Sequence, residues 1–256
     1  MRTGIALSGG GARGIAHLGM LKALEEYGIK PNTISGVSSG AILGALFCSG
    51  INPDTILEIL LKSSLYRYLR PSWRKSGFLN IERFERLYLK YLPVTKFKDL
   101  KIKLVVSATD INEGKTVYFS EGSIIKPIMA SACMPILFAP VKVGKKLLVD
   151  GGIINNLPVE PLLANHDLII GGHCNPTNHA FSVNGMKSLI ERTLHLSLAV
   201  NVKERVKYCD IFIEPPQLAQ YTIFDIKEAQ VIFQIGYIHT LDILKQSEEL
   251  LKRHQG

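Results

Sequence analysis

The apolar positions of this chain fall into two patterns, short unbroken runs and longer stretches with a helical period. Unbroken runs bounded by turn residues predict buried strands, and apolar residues spaced three and four apart predict helices. The first pattern predicts strands at residues 5–7, 33–35, 103–109, 116–119, 147–149, 168–170 and 211–213. The second pattern predicts helices at residues 15–27, 41–47, 53–63, 81–91, 124–132, 186–206 and 225–251.

The order of these elements indicates the fold class. Strands that alternate with helices are typical of an α/β protein with a mostly parallel sheet and helices on both faces, which gives three layers. The composition, with 46% hydrophobic and 20% charged residues, is that of an ordinary folded protein. Because the chain shows no linker, repeat or low-complexity segment, we expect residues 1–256 to form a single domain.

Cysteine usage and the apolar segments bear on the cellular compartment. Cys48, Cys133, Cys174 and Cys209 lie far apart with no CxxC pair, which indicates neither a disulfide framework nor a metal site. The apolar run near the start of the chain is too short for a signal peptide. Residues 31–53 carry no charge, but their serines, asparagines and glycines favour a buried strand, turn and helix over a membrane span. We therefore expect a cytoplasmic protein.

A glycine cluster follows the first predicted strand and opens the first predicted helix. Gly9, Gly11 and Gly14 match the pattern GxGxxG, which is a weak signal in so glycine-rich a segment. Backbone amides at a helix start can hold an anion, so the loop suits a nucleotide phosphate, an oxyanion or simply a tight turn. A dinucleotide site should have an acidic residue at the end of the second strand, and the sequence has none there. Nucleotide binding is therefore the less favoured interpretation.

A second motif lies between the second predicted strand and the apolar helix after it. Gly36, Ser38 and Gly40 form the pattern GxSxG, which in this setting is typical of a nucleophile elbow. Ser39 is the rival nucleophile, but Ser38 has the matching glycines on either side. The pattern also occurs in turns that only pack a helix on a strand, and the glycine cluster one strand earlier favours the catalytic interpretation because an oxyanion needs amide donors.

A serine nucleophile needs a base, and the chain offers two kinds of candidate. None of the seven histidines stands in an obviously catalytic setting. Asp150 follows a predicted strand and precedes Gly151 and Gly152, so its carboxylate lies at a strand end that another segment can approach closely. Because an Asp-Gly-Gly sequence is also common in simple turns, the residues alone leave the base open.

Three of these motifs together resemble the motif set of the patatin-like phospholipases in order and approximate spacing. They are GGGARG at residues 9–14, GVSSG at residues 36–40 and DGG at residues 150–152. Further similarity lies at residues 107–110, 130–135, 138–140 and 155–158, so that the resemblance covers residues 3–215. The chain is similar to the short bacterial members of that family.

The resemblance implies a patatin-like fold and a serine–aspartate dyad without a histidine. Ser38 would attack an ester carbonyl, Asp150 would act as the general base, and the amides of Gly10, Gly11 and Ala12 would hold the oxyanion. The positions that the motifs add in support are Gly9, Arg13, Gly14, Gly36, Gly40 and Gly151. No cofactor is implied, and the substrate would be a phospholipid, a lysophospholipid or a simpler acyl ester. A family member whose main role is membrane or partner binding stays open as an alternative.

The net charge adds an expectation about partners. A formal charge of +8 predicts attraction to an anionic surface, and we do not expect nucleic acid as the partner. Residues 62–75 carry five basic and no acidic side chains, interleaved with aromatic ones; the basic residues are Lys62, Arg67, Arg70, Arg74 and Lys75. This pattern suits either a solvated loop or peripheral contact with an anionic membrane. We also predict that residues 62–80 form a mobile flap at the entrance of the site.

Overall fold

The computed structural model describes residues 1–62, 89–135, 138–178 and 181–255. Within these residues, one sheet contains eight strands. Their bounds are Thr3–Leu7 (β1), Thr33–Val37 (β2), Lys103–Asp110 (β3), Lys115–Phe119 (β4), Val141–Val143 (β5), Lys146–Asp150 (β6), Leu168–Gly172 (β7) and Ile211–Ile213 (β8). The short strand β5 was absent from the predicted elements, because a three-residue strand at the edge of a sheet has no long apolar run.

The sheet is parallel in its centre and antiparallel at one end. Hydrogen-bonded neighbours follow the order β5-β6-β3-β2-β1-β7-β8, and β4 also pairs with β3. β1 is parallel to β2 and β7, β2 is parallel to β3, and β7 is parallel to β8. The pairs of β3 with β4, of β3 with β6 and of β5 with β6 are antiparallel. The predicted mostly parallel sheet is therefore confirmed.

β3 has three neighbours, and the register shows how two of them share one edge. Val106 and Ser107 pair with β2 and also with β4, so those two strands lie on opposite edges of β3. Residues 108–110 pair with β4 and also with β6, so β6 lies on the edge that β2 occupies. β2 ends where Val37 pairs with Ser107, and β6 ends where Asp150 pairs with Ala108. The two strands therefore run towards each other and meet end to end beside β3.

The helices have bounds close to those that the periodicity predicts. They are Ala16–Glu26 (α1), Ser39–Cys48 (α2), Pro53–Lys62 (α3), Ile125–Ser131 (α4), Met186–Val206 (α5), Ala229–Gln246 (α6) and Glu248–Gln255 (α7). The first predicted helix begins as a 3₁₀ turn over Gly11–Ile15. The last one was predicted as continuous but is broken at Ser247, after which Glu248 and Glu249 form an acidic first turn. Serine before an acidic turn is typical of a helix start, so α7 is a separate helix.

Helices cover both faces of the sheet, as predicted. Ile5 and Leu7 of β1 belong to the larger apolar core, which α1, α2 and α6 also line. Ala6 between them faces a second, smaller core that includes Val202 of α5. Alternate side chains of a strand point to opposite faces, so α5 lies on the face away from α1, α2 and α6. This arrangement gives the three layers of the predicted α/β class.

Two predictions fall wholly or largely on residues 63–88, which lie outside the described residues. They are the basic segment beyond Lys62, with the flap at residues 62–80, and most of the helix at residues 81–91. Among the helices that the structure describes, none combines the length and the apolar character that crossing a bilayer requires.

Candidate active site

Ser38 occupies the sharp turn between β2 and α2. Its backbone has φ 52° and ψ −123°, and no other residue besides glycine has a positive φ in the described part of the chain. Such a conformation costs about 1–3 kcal/mol and persists where the surrounding structure holds it. A Cβ at Gly36 would lie 2.7 Å from the Gly40 carbonyl oxygen and 2.8 Å from the Ala41 nitrogen, so the turn closes only without a side chain there. The predicted elbow geometry is present.

The two adjacent serines have different surroundings. Ser38 is half-buried, and its backbone amide donates to Ser131 Oγ at 2.8 Å. Ser39 is 9% exposed and packs against Gly14, where a Cβ would overlap its side chain. Gly14 is therefore explained by the packing of α2 on the glycine-rich loop, and Ser38 is the more exposed of the two serines.

Asp150 is the last residue of β6 and is 6% exposed. Its Oδ1 accepts a hydrogen bond from the Gly152 amide at 2.9 Å. Burial raises the pKa of Asp150 from 3.8 to about 6, against the opposing effects of the Ser38 hydroxyl and the Gly152 amide. A carboxylate with a raised pKa is a stronger base than an exposed aspartate.

Gly151 allows the end of β6 to approach the end of β2. A Cβ at this position would lie 2.6 Å from the Ser107 carbonyl oxygen and 2.8 Å from Val37 Cγ2. A larger residue would push Asp150 away from Ser38, because Val37 directly precedes the serine. The close packing of the end of β6 on Ser107 and Val37 therefore requires glycine at position 151.

The glycine-rich loop, residues 9–14, lies beside Ser38. A Cβ at Gly9 would lie 2.7 Å from Ser38 Cβ, and a Cβ at Gly40 would lie 2.7 Å from the Ser8 carbonyl oxygen. Among the described residues, the amides of Gly10 and Gly11 donate to no group. Two unpaired amides next to a reachable serine hydroxyl are the donors that an oxyanion needs.

One predicted oxyanion donor is wrong in this structure. The Ala12 amide donates to the Ile223 carbonyl oxygen at 2.9 Å, which leaves it no hydrogen for a ligand. Ile223 also touches the position that a Cβ at Gly11 would take. The segment before α6 therefore anchors the loop at Ala12, and the free donors are those of Gly10 and Gly11.

Three asparagines that the sequence analysis did not select hold the loop in place. Asn156 Oδ1 accepts from the Gly9 amide at 3.0 Å, and its Nδ2 donates to the Gly9 carbonyl at 3.4 Å. Asn175 Nδ2 donates to the same carbonyl at 2.5 Å. Asn201 on α5 accepts from the Asn156 amide at 2.9 Å and donates to the Gly152 carbonyl at 3.1 Å. These contacts join the loop to the segment after Asp150.

The described histidines bond to groups other than Ser38. His17 Nε2 donates to the Ser8 carbonyl oxygen at 2.9 Å and lies 3.4 Å from Ser8 Oγ, and His195 Nε2 donates to the Asn175 carbonyl at 3.2 Å. Burial lowers the pKa of each to about 4, so both are neutral near pH 7. His173 contacts Glu214 at 2.5 Å, and His166 contacts Thr33 at 2.9 Å. The contacts of these four histidines therefore lead away from Ser38, and Asp150 is the candidate base beside it.

Arg13 is a buried residue of the glycine-rich loop. It is 6% exposed, and its charge lowers the pKa of His195 and opposes the burial that raises the pKa of Cys174 to about 11. A Cβ at Gly10 would overlap Cys174 Sγ, so the arginine, the thiol and the loop are packed together. In the described part of the chain, no three His, Cys, Asp or Glu side chains come together as a metal site.

Comparison with known proteins agrees with the motifs and the fold. The family model of the patatin-like phospholipases matches residues 5–163. The chain is 28% identical to Lysophospholipase NTE1 of Kluyveromyces lactis over 96% of this chain and 19% of that protein. It is 34% identical to an NTE family protein of Mycobacterium bovis over 73% of this chain and 50% of that protein.

A solved structure shows the same fold. VipD from Legionella pneumophila superposes with a TM-score of 0.66 at 16% identity, covering 96% of this chain and 67% of VipD. The chain spans only 19% and 50% of the two curated relatives named above, so their full lengths hold further sequence. The matched family model covers more than half of the chain. The protein belongs to the patatin-like phospholipase family.

Proposed function

We propose that the protein is a serine lipid acyl hydrolase in which Ser38 is the nucleophile and Asp150 the general base. The observation that carries this proposal is that the ends of β2 and β6 meet beside β3 and bring Ser38 to the buried carboxylate of Asp150, whose pKa the Ser38 hydroxyl lowers. A serine hydroxyl is a weak nucleophile, and a base in contact with it supplies the activation that it lacks. The family and the named lysophospholipase relative support lipid esters as substrates.

The first half of the reaction forms an acyl-enzyme. Ser38 Oγ attacks the ester carbonyl carbon while its proton passes to the Asp150 carboxylate. The carbonyl oxygen becomes an oxyanion that accepts hydrogen bonds from the amides of Gly10 and Gly11. When the tetrahedral intermediate collapses, the bond to the alcohol breaks, and the leaving alcohol takes the proton from Asp150.

The second half releases the fatty acid. Water attacks the acyl carbon on Ser38 while Asp150 takes one of its protons. Collapse of the second intermediate breaks the bond to Oγ, and Asp150 returns the proton to Ser38. Atoms and charges balance with water as the only added reactant.

Fixed amide donors explain why the loop is so strongly anchored. Removal of one oxyanion donor in an acyl-transfer enzyme costs about 10²–10³ in kcat. Such donors are effective only when their position is fixed. The neighbouring Gly9 is fixed by hydrogen bonds to both its amide and its carbonyl. Asn156, Asn175 and Asn201 are positioning residues in this proposal.

The test is hydrolysis of a panel of phospholipid, lysophospholipid and simple acyl esters from short to long chains. Wild-type protein should release fatty acid, and Ser38→Ala and Asp150→Asn should lose at least about 10³-fold in kcat. Ser39→Ala is the matched control, because Ser39 Oγ is buried without a hydrogen-bond partner among the described residues. Turnover that survives Ser38→Ala would refute the proposal.

A further inference from the structure

Helix α5 (Met186–Val206) carries apolar residues on its outer side as well as on its inner side. On the inner side, Val202 belongs to the smaller apolar core, and Asn201 beside it donates to the Gly152 carbonyl. A surface helix of a globular protein normally exposes polar residues opposite its core face. Exposed apolar residues on the outer face of α5 therefore indicate that this face has a partner.

The outer face carries a row of exposed apolar residues, interrupted by Thr193 and Ser197, which we call the apolar stripe. Its members recur at helical spacing and are all exposed; they are Met186, Leu189, Ile190, Leu196 and Val200. Met186 is 70% and Val200 is 63% exposed, which is high for apolar side chains. Thr193 lies between Met186 and Val200 on the same face. Its hydroxyl donates to the Leu189 carbonyl at 2.8 Å, a hydrogen bond within the helix. The stripe therefore extends over most of the length of α5.

The same helix touches the candidate active site from its inner side. Asn201 bonds to the Gly152 carbonyl and the Asn156 amide, and a Cβ at Gly152 would lie 3.2 Å from Leu198 Cδ2. The apolar stripe is thus on the outer side of the helix that packs on the loop after Asp150. A surface that the stripe contacts lies one helix diameter, about 10 Å, from the segment after Asp150.

Charge favours an anionic lipid surface as that partner. At the end of α5 the exposed side chains of Lys203 and Lys207 outnumber that of Glu204, and the chain carries a formal net charge of +8. An amphipathic helix that binds a bilayer lies in the interface with its apolar face among the acyl chains and its basic residues near the headgroups.

We propose that the outer face of α5 docks the protein on an anionic lipid bilayer and so presents the Ser38–Asp150 site to lipid esters in that bilayer. This inference rests on the proposed function, which makes lipid the substrate. It assigns membrane contact to α5, whereas the sequence analysis had placed it on the segment from Lys62 to Lys75.

The experiment compares two double variants of the full chain. Met186→Gln/Val200→Gln removes the two most exposed residues of the stripe. Val231→Gln/Ile238→Gln is the matched control, because these residues are 46% and 56% exposed on α6, which lies over the opposite face of the sheet. Sedimentation with vesicles of phosphatidylcholine and phosphatidylserine in equal parts, and with phosphatidylcholine alone, measures binding. Hydrolysis of a water-soluble short-chain ester measures the site.

The stripe variant should bind the mixed vesicles at least about tenfold more weakly than wild type and the control variant. It should hydrolyse the soluble ester as wild type does and lose activity on vesicle lipid only. Binding of the wild type should weaken with added salt and with vesicles of phosphatidylcholine alone. If wild type does not hydrolyse the soluble ester, the proposed function fails. The vesicle binding of wild type and the two variants then still tests the role of α5.

Unchanged vesicle binding of the stripe variant would overturn the inference, and two further readouts name the alternative. A wild-type dimer that the stripe variant converts to a monomer in size-exclusion chromatography would assign the face to a second copy. A loss of thermal stability in the stripe variant alone, with vesicle binding intact, would assign it to another segment of this chain. Equal vesicle binding by both double variants, each weaker than wild type, would also contradict a specific role of α5.

Discussion

Ser38 and Asp150 lie at the facing ends of two strands that share one edge of β3. Val37 at the end of β2 pairs with Ser107, and Asp150 at the end of β6 pairs with Ala108. The two strand ends therefore pair with adjacent residues of β3. The parallel strand β2 and the antiparallel strand β6 reach this point from opposite directions. The contact between the serine and the aspartate therefore follows from backbone pairing, and it needs no bend in either strand.

The first prediction concerns the pH dependence of hydrolysis. Asp150 acts as a base only when ionised, and burial raises its pKa to about 6. The value of kcat/KM for an uncharged acyl ester should therefore be constant above neutral pH and fall tenfold per pH unit well below about 6. A rate that stays constant down to pH 4.5, measured where the protein is still folded, would contradict Asp150 as the base.

The second prediction concerns the pH dependence of stability. A carboxyl whose pKa is higher in the folded than in the unfolded state favours folding when protonated, and this contribution is lost as the pH rises through the folded pKa. For Asp150 the rise from 3.8 to about 6 corresponds to at most about 3 kcal/mol. Asp150→Asn, which does not titrate, should therefore gain free energy of unfolding relative to wild type as the pH increases from 4 to 7.

Urea unfolding of both proteins at several pH values measures this difference. The gain of the variant should be complete above about pH 7, since the carboxyl is then ionised in both states. A difference between the two proteins that is the same at every pH would show that the buried carboxylate carries no desolvation cost.

The third prediction concerns the strained backbone of Ser38. Both Ser38→Gly and Ser38→Ala lose the hydroxyl, but only glycine adopts φ 52° without a steric cost. Ser38→Gly should therefore be more stable than Ser38→Ala by about 1–2 kcal/mol. The same pair at Ser39, which is helical, should give the reverse order, since glycine weakens helices. Equal stability of the two Ser38 variants would argue against strain at the elbow.

The fourth prediction concerns Asn156. Asn156→Ala removes both hydrogen bonds to Gly9 and should lower kcat by about 10–100-fold with little change in KM, because the Gly10 and Gly11 amides lose their fixed position. Asn155→Ala is the control. The Asn155 side chain is also buried but bonds to Glu160 and Tyr118. If both variants lower kcat alike, Asn156 acts through general stability and not through the loop.

Much of the fold, including the strained turn at Ser38, could be predicted because the relevant signals are local. Buried strands such as β1 and β7 give unbroken apolar runs, and the GxSxG pattern needs only five adjacent residues to indicate its turn. Asp150 was indicated by its position after a strand and selected through the resemblance. The register of β3 supplies the physical reason for its contact with Ser38.

The parts that could not be predicted depend on contacts between distant segments. Asn156 and Asn175 bond to Gly9 across 147 and 166 residues, and an asparagine in a sequence carries no sign of such a partner. The Ala12 amide was predicted as a donor to the oxyanion, but it donates to the carbonyl oxygen of Ile223, more than 200 residues further along the chain. The exposed face of α5 could likewise not be predicted, since periodicity shows that a helix has two faces but not which of them packs on the rest of the protein.

Covalent labelling of Ser38 tests the central claim most directly. A fluorophosphonate with an acyl-like chain should modify wild-type protein once, and mass spectrometry of the digested protein should place the adduct on Ser38. Ser38→Ala should take up no probe, and Asp150→Asn should react at least about 100-fold more slowly because its serine lacks the base. An adduct on another residue, or labelling that persists at the wild-type rate in Ser38→Ala, would contradict the account.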